Sequence, residues 1–282
     1  MHFGRNSVVG TTIRKTTLPE HLLADEHHQS RNGEMNTIAT TVGEGCCLGA
    51  TLSESADGVG LTAAYGEFQE EAHQTEPDYS PKTVNTDGWA STQLAWRTLF
   101  PMITILQCFL HAWLSIRQRG KHLKADFFEL SNQIWNAYHS PDKRCFSQRL
   151  RRLKEWSLKN LTGIVLSKVE SLCKKRALWK LAFDHPDGHR TSNMLDRVMR
   201  SMNRCFDQEL HLHGSVESAN RHCHAWALLY NFSPWHPATT RSNDGWQSPA
   251  ERINQYRYHE NWLQNLLISS SLGGRHKIPL NP

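Results

Sequence analysis

Apolar and polar positions alternate in short runs from Pro19 to about Ala50, then change period. HLLAD (21–25) is a short apolar run closed by an acid, and MNTIATTV (35–42) and CCLGATL (46–52) flank the turn signal Gly43-Glu44-Gly45. Three short strands are expected there, the last two antiparallel across the turn. LTAAYGEFQEEAHQ (61–74) carries apolar residues at 61, 64, 65 and 68, the spacing of an amphipathic helix, which Pro77 and Pro81 end. KTVNTDGW (82–89) reads as a strand ending at Asp87-Gly88, and STQLAWRTLF (91–100) as a helix stopped by Pro101. The β-branched Ile103-Thr104-Ile105 continues as a strand to Cys108. The order β-β-β-α-β-α-β predicts an α/β fold, a mixed sheet with helices packed against it.

From His111 to Phe183 the strand signals vanish and long stretches of helix formers follow. A loop at 185–193 closes this block, and helices are expected at 192–206 and 216–232. A Pro/Ser/Asn-rich linker over 233–250 leads to a last amphipathic helix at 249–267. Residues 1–17 show no periodicity and are expected to form a disordered lead-in. The uncharged stretch Thr98–Ile116 has nearly the length of a membrane span, but it contains Pro101, Thr104, Gln107, His111 and Ser115. A buried strand running into a helix fits it better.

Composition changes the picture only when the chain is divided. The 32 Lys+Arg and 27 Asp+Glu leave a formal net charge of +5. Residues 1–90 hold 5 basic and 13 acidic side chains, and residues 91–282 hold 27 and 14. Lys143 to Lys180 alone contains 12 Lys/Arg against Glu155 and Glu170, with Phe146, Trp156 and Trp179 among them. A solvated helical face would account for such a run. Its self-repulsion favours a polyanion partner, and DNA is the preferred one, through Arg149, Arg151, Arg152, Lys154, Lys174, Lys175 and Arg176. Seven cysteines without a C-x-x-C pair, and an amino terminus without a signal-peptide core, point to a reducing compartment.

Asp25 and Asp87 each close an expected strand. Carboxylates at the ends of neighbouring strands can converge on Mg²⁺ or Mn²⁺, although acids there also serve as helix caps. The strings VNTDGW (84–89), CFLH (108–111) and RTSNMLDR (190–197) occur in that order. So arranged, they resemble the catalytic domain of bacterial insertion-sequence transposases of the DDE class, near the Mutator-like group, over residues 18–270.

The resemblance implies a ribonuclease-H-like mixed sheet with flanking helices and an all-helical insertion between the second and third catalytic acids. The core would occupy 18–110 and 185–232, the insertion 111–184, and a linker with a C-terminal helix 233–282. Asp25, Asp87 and Asp196 match the three catalytic, metal-binding acids, with Asp196 standing where many relatives have Glu; Glu217 is the fallback for the third. Cys108 and His111 match a pair that shapes the active site in relatives; two ligands are too few for zinc, and a satisfied core pair is the plainer reading. Asn193 could cap a helix and leave Asp196 at its third position, which would explain an acid there without catalysis. His211, His213, His222 and His224 form a tempting cluster, but His222 and His224 lie two apart and point to different helix faces.

The resemblance further implies two Mg²⁺ (or Mn²⁺) ions roughly 3.5–4 Å apart. They would cleave and join DNA strands at element ends, in a homo-oligomer assembled on DNA in the cytoplasm at the nucleoid, with no membrane partner. Relatives carry an amino-terminal end-recognition domain. Only 24 residues precede Asp25, so the expectation is an amino-terminally truncated copy or one part of a split protein. A catalytically inactive DNA-binding remnant is the leading rival, and a zinc hydrolase built on the histidines is a third reading.

Overall fold

The computed structural model describes residues 3–14, 16–208 and 212–272. The chain runs α1 (Val8–Thr12), β1 (His21–Arg31), β2 (Glu34–Gly43), β3 (Cys46–Ser53), α2 (Gly58–Thr75), β4 (Thr83–Thr86), α3 (Ala90–Leu99) and β5 (Thr104–Gln107). Helices follow: α4 (Phe109–Gly120), α5 (Ala125–Tyr138), α6 (Lys143–Asn160), α7 (Gly163–Lys174), α8 (Arg176–Lys180), α9 (Asn193–Gln208), α10 (Val216–Phe232), α11 (Pro237–Arg241), α12 (Pro249–Asn254) and α13 (Trp262–Ser271). The five strands form one mixed sheet in the order β3-β2-β1-β4-β5, with largely helical flanks, an arrangement compatible with a ribonuclease-H-like fold. No described helix is long and apolar enough to cross a membrane, and the uncharged Thr98–Ile116 stretch resolves into the end of α3, β5 and the start of α4.

Two tight turns make the β1–β2–β3 meander. Asn32-Gly33 and Glu44-Gly45 all have positive φ (51°, 87°, 51° and 80°), the conformation that a two-residue antiparallel hairpin of right-twisted strands requires. β1 is longer than expected, because pairing with β2 continues from Leu23↔Val42 to Arg31↔Glu34. Asp25 therefore lies in mid-strand, opposite Thr40, and not at a strand end.

By packing, the chain divides into two units. The first comprises residues 1–84, 89–103 and 193–282, the second 85–88 and 104–192. In the first, α9 packs on β1 and β2 through Leu195, Val198, Met202 and Phe206, all buried and spaced along one helix face. α10 runs along β3, the terminal strand of the sheet. Asn220 and Asn231, eleven residues apart, accept the amides of Leu52 (2.7 Å) and Cys47 (2.8 Å). Eleven helical residues rise about 16.5 Å, and the five strand steps from Cys47 to Leu52 advance about the same. The odd strand spacing is possible because the β2–β3 register shifts between Thr41 and Val42, which turns both amides outward. The helix thus closes an edge that would otherwise be open to pairing.

Residues expected to form a disordered lead-in carry α1, whose Val8 and Val9 are buried in this unit. Ser7 caps α1 by accepting the Gly10 amide (2.9 Å). Gly4 sits so close to α10 that a Cβ there would lie 1.8 Å from the Arg221 carbonyl oxygen. The expected last helix is two. α12 ends at the left-handed Gln255, and Asn261 restarts the chain as α13 by accepting the Leu263 and Gln264 amides (3.1 Å each).

The second unit has its own helical core, with Phe109, Trp113, Leu130, Ile134, Phe146, Leu150 and Val169 at its centre. α6 starts where Asp142 accepts the Cys145 amide (2.7 Å). It buries Phe146, Leu150 and Leu153, so its many charges turn outward.

Candidate active site

The two ends of the first unit's sequence meet at Asp25 and Asp196. β1 carries Asp25 half-buried, and α9, packed on β1 and β2, presents Asp196 from its first turn. A carboxylate oxygen of Asp25 and one of Asp196 lie within 4.8 Å of one another. The helix begins with Asn193 itself, so Asp196 sits one position deeper than the capping reading places it. The Asp25 carboxylate accepts the Glu26 amide (2.9 Å).

Glu26, the neighbouring acid, brings a carboxylate oxygen within 4.8 Å of one of Asp25 and has partners of its own. Its Oε1 accepts the Tyr65 hydroxyl (2.7 Å) and the Thr92 hydroxyl (2.6 Å), tying β1 to α2 and α3. Burial, with the Glu26 charge added, holds the Tyr65 hydroxyl well above its ordinary pKa, so it remains a donor. The Asp25–Asp196 pair offers hard oxygen donors and no sulfur, a set that fits Mg²⁺ or Mn²⁺.

In the second unit, Asp87 follows β4 and is exposed, before Gly88 at φ 100°. The Cys108 amide donates to the Thr86 carbonyl (2.7 Å), and Asn85 donates to the His189 carbonyl (2.9 Å). Cys108 is buried at the start of α4, where its sulfur accepts the Ser192 amide (3.2 Å) and lies 3.4 Å from the Ser192 hydroxyl. Burial alone would raise this thiol's pKa. Hydrogen bonds from His111 and Ser192 outweigh burial and bring it below its ordinary value. Asp87, Cys108 and His111 line one cleft of about 180 Å³ together with Lys168 and Lys175. A carboxylate beside two ammonium groups suits a phosphodiester held next to a cation.

Of the basic residues, Arg151, Arg152 and Lys154 on α6 and Lys174, Lys175 and Arg176 at the α7–α8 junction are exposed, and Arg149 is half-buried. Arg149 also donates to the Asn136 carbonyl, and Arg151 lies 3.5 Å from Glu155. Arg149, Arg152 and Trp156 with Gln133 and Asn136 enclose a surface hollow of about 450 Å³. A second basic stripe was not anticipated from the sequence. Arg197, Arg200 and Arg204 are exposed along α9, opposite its buried face and beside Asp196. Their 3-then-4 spacing was the available signal.

Glu217 pairs with Arg221 (3.3 Å) in the exposed first turn of α10, and among the described residues it joins no group of potential metal ligands. His222 packs on Phe206, with ring centroids 5.5 Å apart, while His224 turns to Glu67 (3.4 Å). His213 is exposed, and His211 lies outside the described residues.

No protein-family model matches the chain. No curated protein matches it either. Among solved structures, the chain is similar to one from the simian T-cell lymphotropic virus intasome in complex with PP2A regulatory subunit B56 gamma. The likeness has 19% identity and a TM-score of 0.25, and it spans 54% of this chain and about half, 52%, of that one.

Proposed function

We propose that this chain is a DNA transposase catalytic domain of the DDE class, cutting and joining DNA strands at insertion-sequence ends with divalent metal ions. The observation that carries the reading is the approach of Asp25 and Asp196 to within 4.8 Å from positions 171 residues apart. Asp87 is the third acid of the proposal, supported by its place directly after β4, in a cleft with Lys168 and Lys175. Bound Mg²⁺ or Mn²⁺ would activate the attacking hydroxyl and stabilise the leaving 3′-oxygen.

The protein's own side chains have separate tasks. Asp25, Asp87 and Asp196 hold the cations as ligands and are not proton carriers. Lys168 and Lys175, in the cleft with Asp87, draw a phosphodiester towards it and balance its charge. Ser192 and His111 orient Cys108, which fixes the start of α4 and therefore the position of His111. The exposed cations of α6, α7–α8 and α9 bind the DNA backbone, an interaction that sets affinity and register without reading sequence.

The test is nicking of a supercoiled plasmid in Mn²⁺ with the wild type and with Asp25→Asn, Asp87→Asn and Asp196→Asn. Metal-dependent nicking that each substitution lowers at least 100-fold, with gel-shift binding retained, supports the enzyme. DNA binding by the wild type without nicking in either Mg²⁺ or Mn²⁺ identifies a DNA-binding remnant and overturns the catalytic reading.

A further inference from the structure

Glu67 and Glu71 lie one turn apart on α2 and meet His224 of α10, all within the first unit. A carboxylate oxygen from each glutamate and a ring nitrogen of His224 lie within 4.8 Å of one another. The imidazole is nearly buried, its side chain 9% exposed, with Nε2 3.4 Å from Glu67 Oε1. We infer that Glu67, Glu71 and His224 form a divalent-metal site separate from the Asp25–Asp196 pair and suited to a transition ion such as Zn²⁺. The inference uses no part of the transposase reading.

The spacing suits one ion. Oxygen and nitrogen ligands 2.0–2.2 Å from zinc are at most about 4.4 Å apart, and about 3.4 Å apart in a tetrahedron. The His224–Glu67 separation already has the second value, and closing the set by a few tenths of an ångström brings the rest within the first. Both carboxylates are braced from behind, as ligating carboxylates are. Thr51 donates its hydroxyl to Glu67 Oε2 (2.8 Å), and the Val9 amide donates to Glu71 Oε2 (2.9 Å).

A cleft of about 1040 Å³ opens on the three side chains, with Ser7 and Asn220 also on its wall, which leaves room for water to complete the coordination shell. Two guanidiniums line the same cleft, Arg5 and Arg221, and the second is engaged by Glu217 (3.3 Å). The imidazole decides the class of ion, since Mg²⁺ and Ca²⁺ prefer all-oxygen sets.

Electrostatics agrees. Two carboxylates and a divalent ion are neutral together. Without an ion, protons take its place. Burial pushes the Glu71 carboxyl up to about 7. Burial opposes protonation of His224, but its hydrogen bond and charge interaction with Glu67 outweigh burial and raise its pKa. An ion entering here displaces those protons. It would also link α2 to α10 beside the amino-terminal segment, because Glu71 holds the Val9 amide and Gly4 lies against Arg221.

The test is a Zn²⁺ titration by calorimetry of chelator-stripped full-length protein carrying Asp25→Asn, Asp87→Asn and Asp196→Asn, so that the proposed catalytic acids contribute nothing. The expected result is one tight Zn²⁺ per chain. In that background Glu71→Gln and His224→Gln should each weaken binding at least tenfold, and Co²⁺ should lose its visible absorption band. Circular dichroism checks the fold, and Glu67→Gln decides if His224→Gln does not fold. Absence of tight binding, or binding that none of the three substitutions weakens, overturns the inference.

Discussion

Asn231→Ala tests whether α10 closes the sheet edge as described. Asn231 is fully buried and uses its amide three times. Its Oδ1 accepts the Cys47 amide (2.8 Å), while Nδ2 donates to the Cys47 carbonyl (2.7 Å) and to the Thr12 hydroxyl (2.9 Å). Alanine keeps the helix but strands a buried N–H, a carbonyl and a hydroxyl. Each buried group left without a partner costs about 1–3 kcal/mol. Water entering the vacated space recovers part of this, so a loss of about 3 kcal/mol is expected. Asn231→Asp should cost at least as much, because it keeps the acceptor but turns both donors into an acceptor facing the Cys47 carbonyl. Urea unfolding followed by circular dichroism measures the loss as a lower midpoint at unchanged slope. A loss below about 1 kcal/mol for both variants would refute the argument that this amide closes the edge of β3.

Three further outcomes follow from the same structure. Neutralising Arg151, Arg152 and Lys154 together should flatten the dependence of log affinity for duplex DNA on log salt by about 3, at about 0.9 for each phosphate no longer neutralised; fluorescence anisotropy across salt concentrations reads it. For Glu71, whose folded pKa is raised to about 7, stability is full below its ordinary pKa and falls as pH rises through 7. Glu71→Gln should therefore remove part of the decline in Tm between pH 5 and pH 8, which thermal scans in metal-free buffers check. Phe206→Ala, near the far end of the buried face of α9, should cost about 3–5 kcal/mol in urea unfolding.

The alternation in 35–52, the 61–68 spacing and the β-branched run at 103–105 made most core elements legible, since burial on one face imposes a period that survives in a single sequence. Asn32-Gly33 was equally legible as a hairpin signal, and reading it would have extended β1 past Asp25. The ordered segment at 3–12 was not legible. Its five-residue helix is too short to show a period, and what holds it is packing against α2 and α10, remote in sequence. The break between α12 and α13 was masked by apolar residues that keep a helical spacing across it, although Asn261 was a visible cap. Asp25 came from its place at the end of an apolar run and Asp196 from motif order, and periodicity alone would not have joined them. Glu67, Glu71 and His224 left no motif, because 153 residues separate the second from the third and only the fold brings them together.

The central claim is that Asp25, Asp87 and Asp196 hold the catalytic cations, and localised hydroxyl-radical cleavage tests it most directly. Fe²⁺ replaces Mg²⁺ on the DNA-bound protein, and ascorbate with peroxide cuts the polypeptide next to the ion. The account predicts cuts near residues 25, 87 and 196 that excess Mg²⁺ suppresses and Asp196→Asn removes. Cuts confined to other segments, or cuts near those residues that Asp196→Asn leaves unchanged, would contradict it.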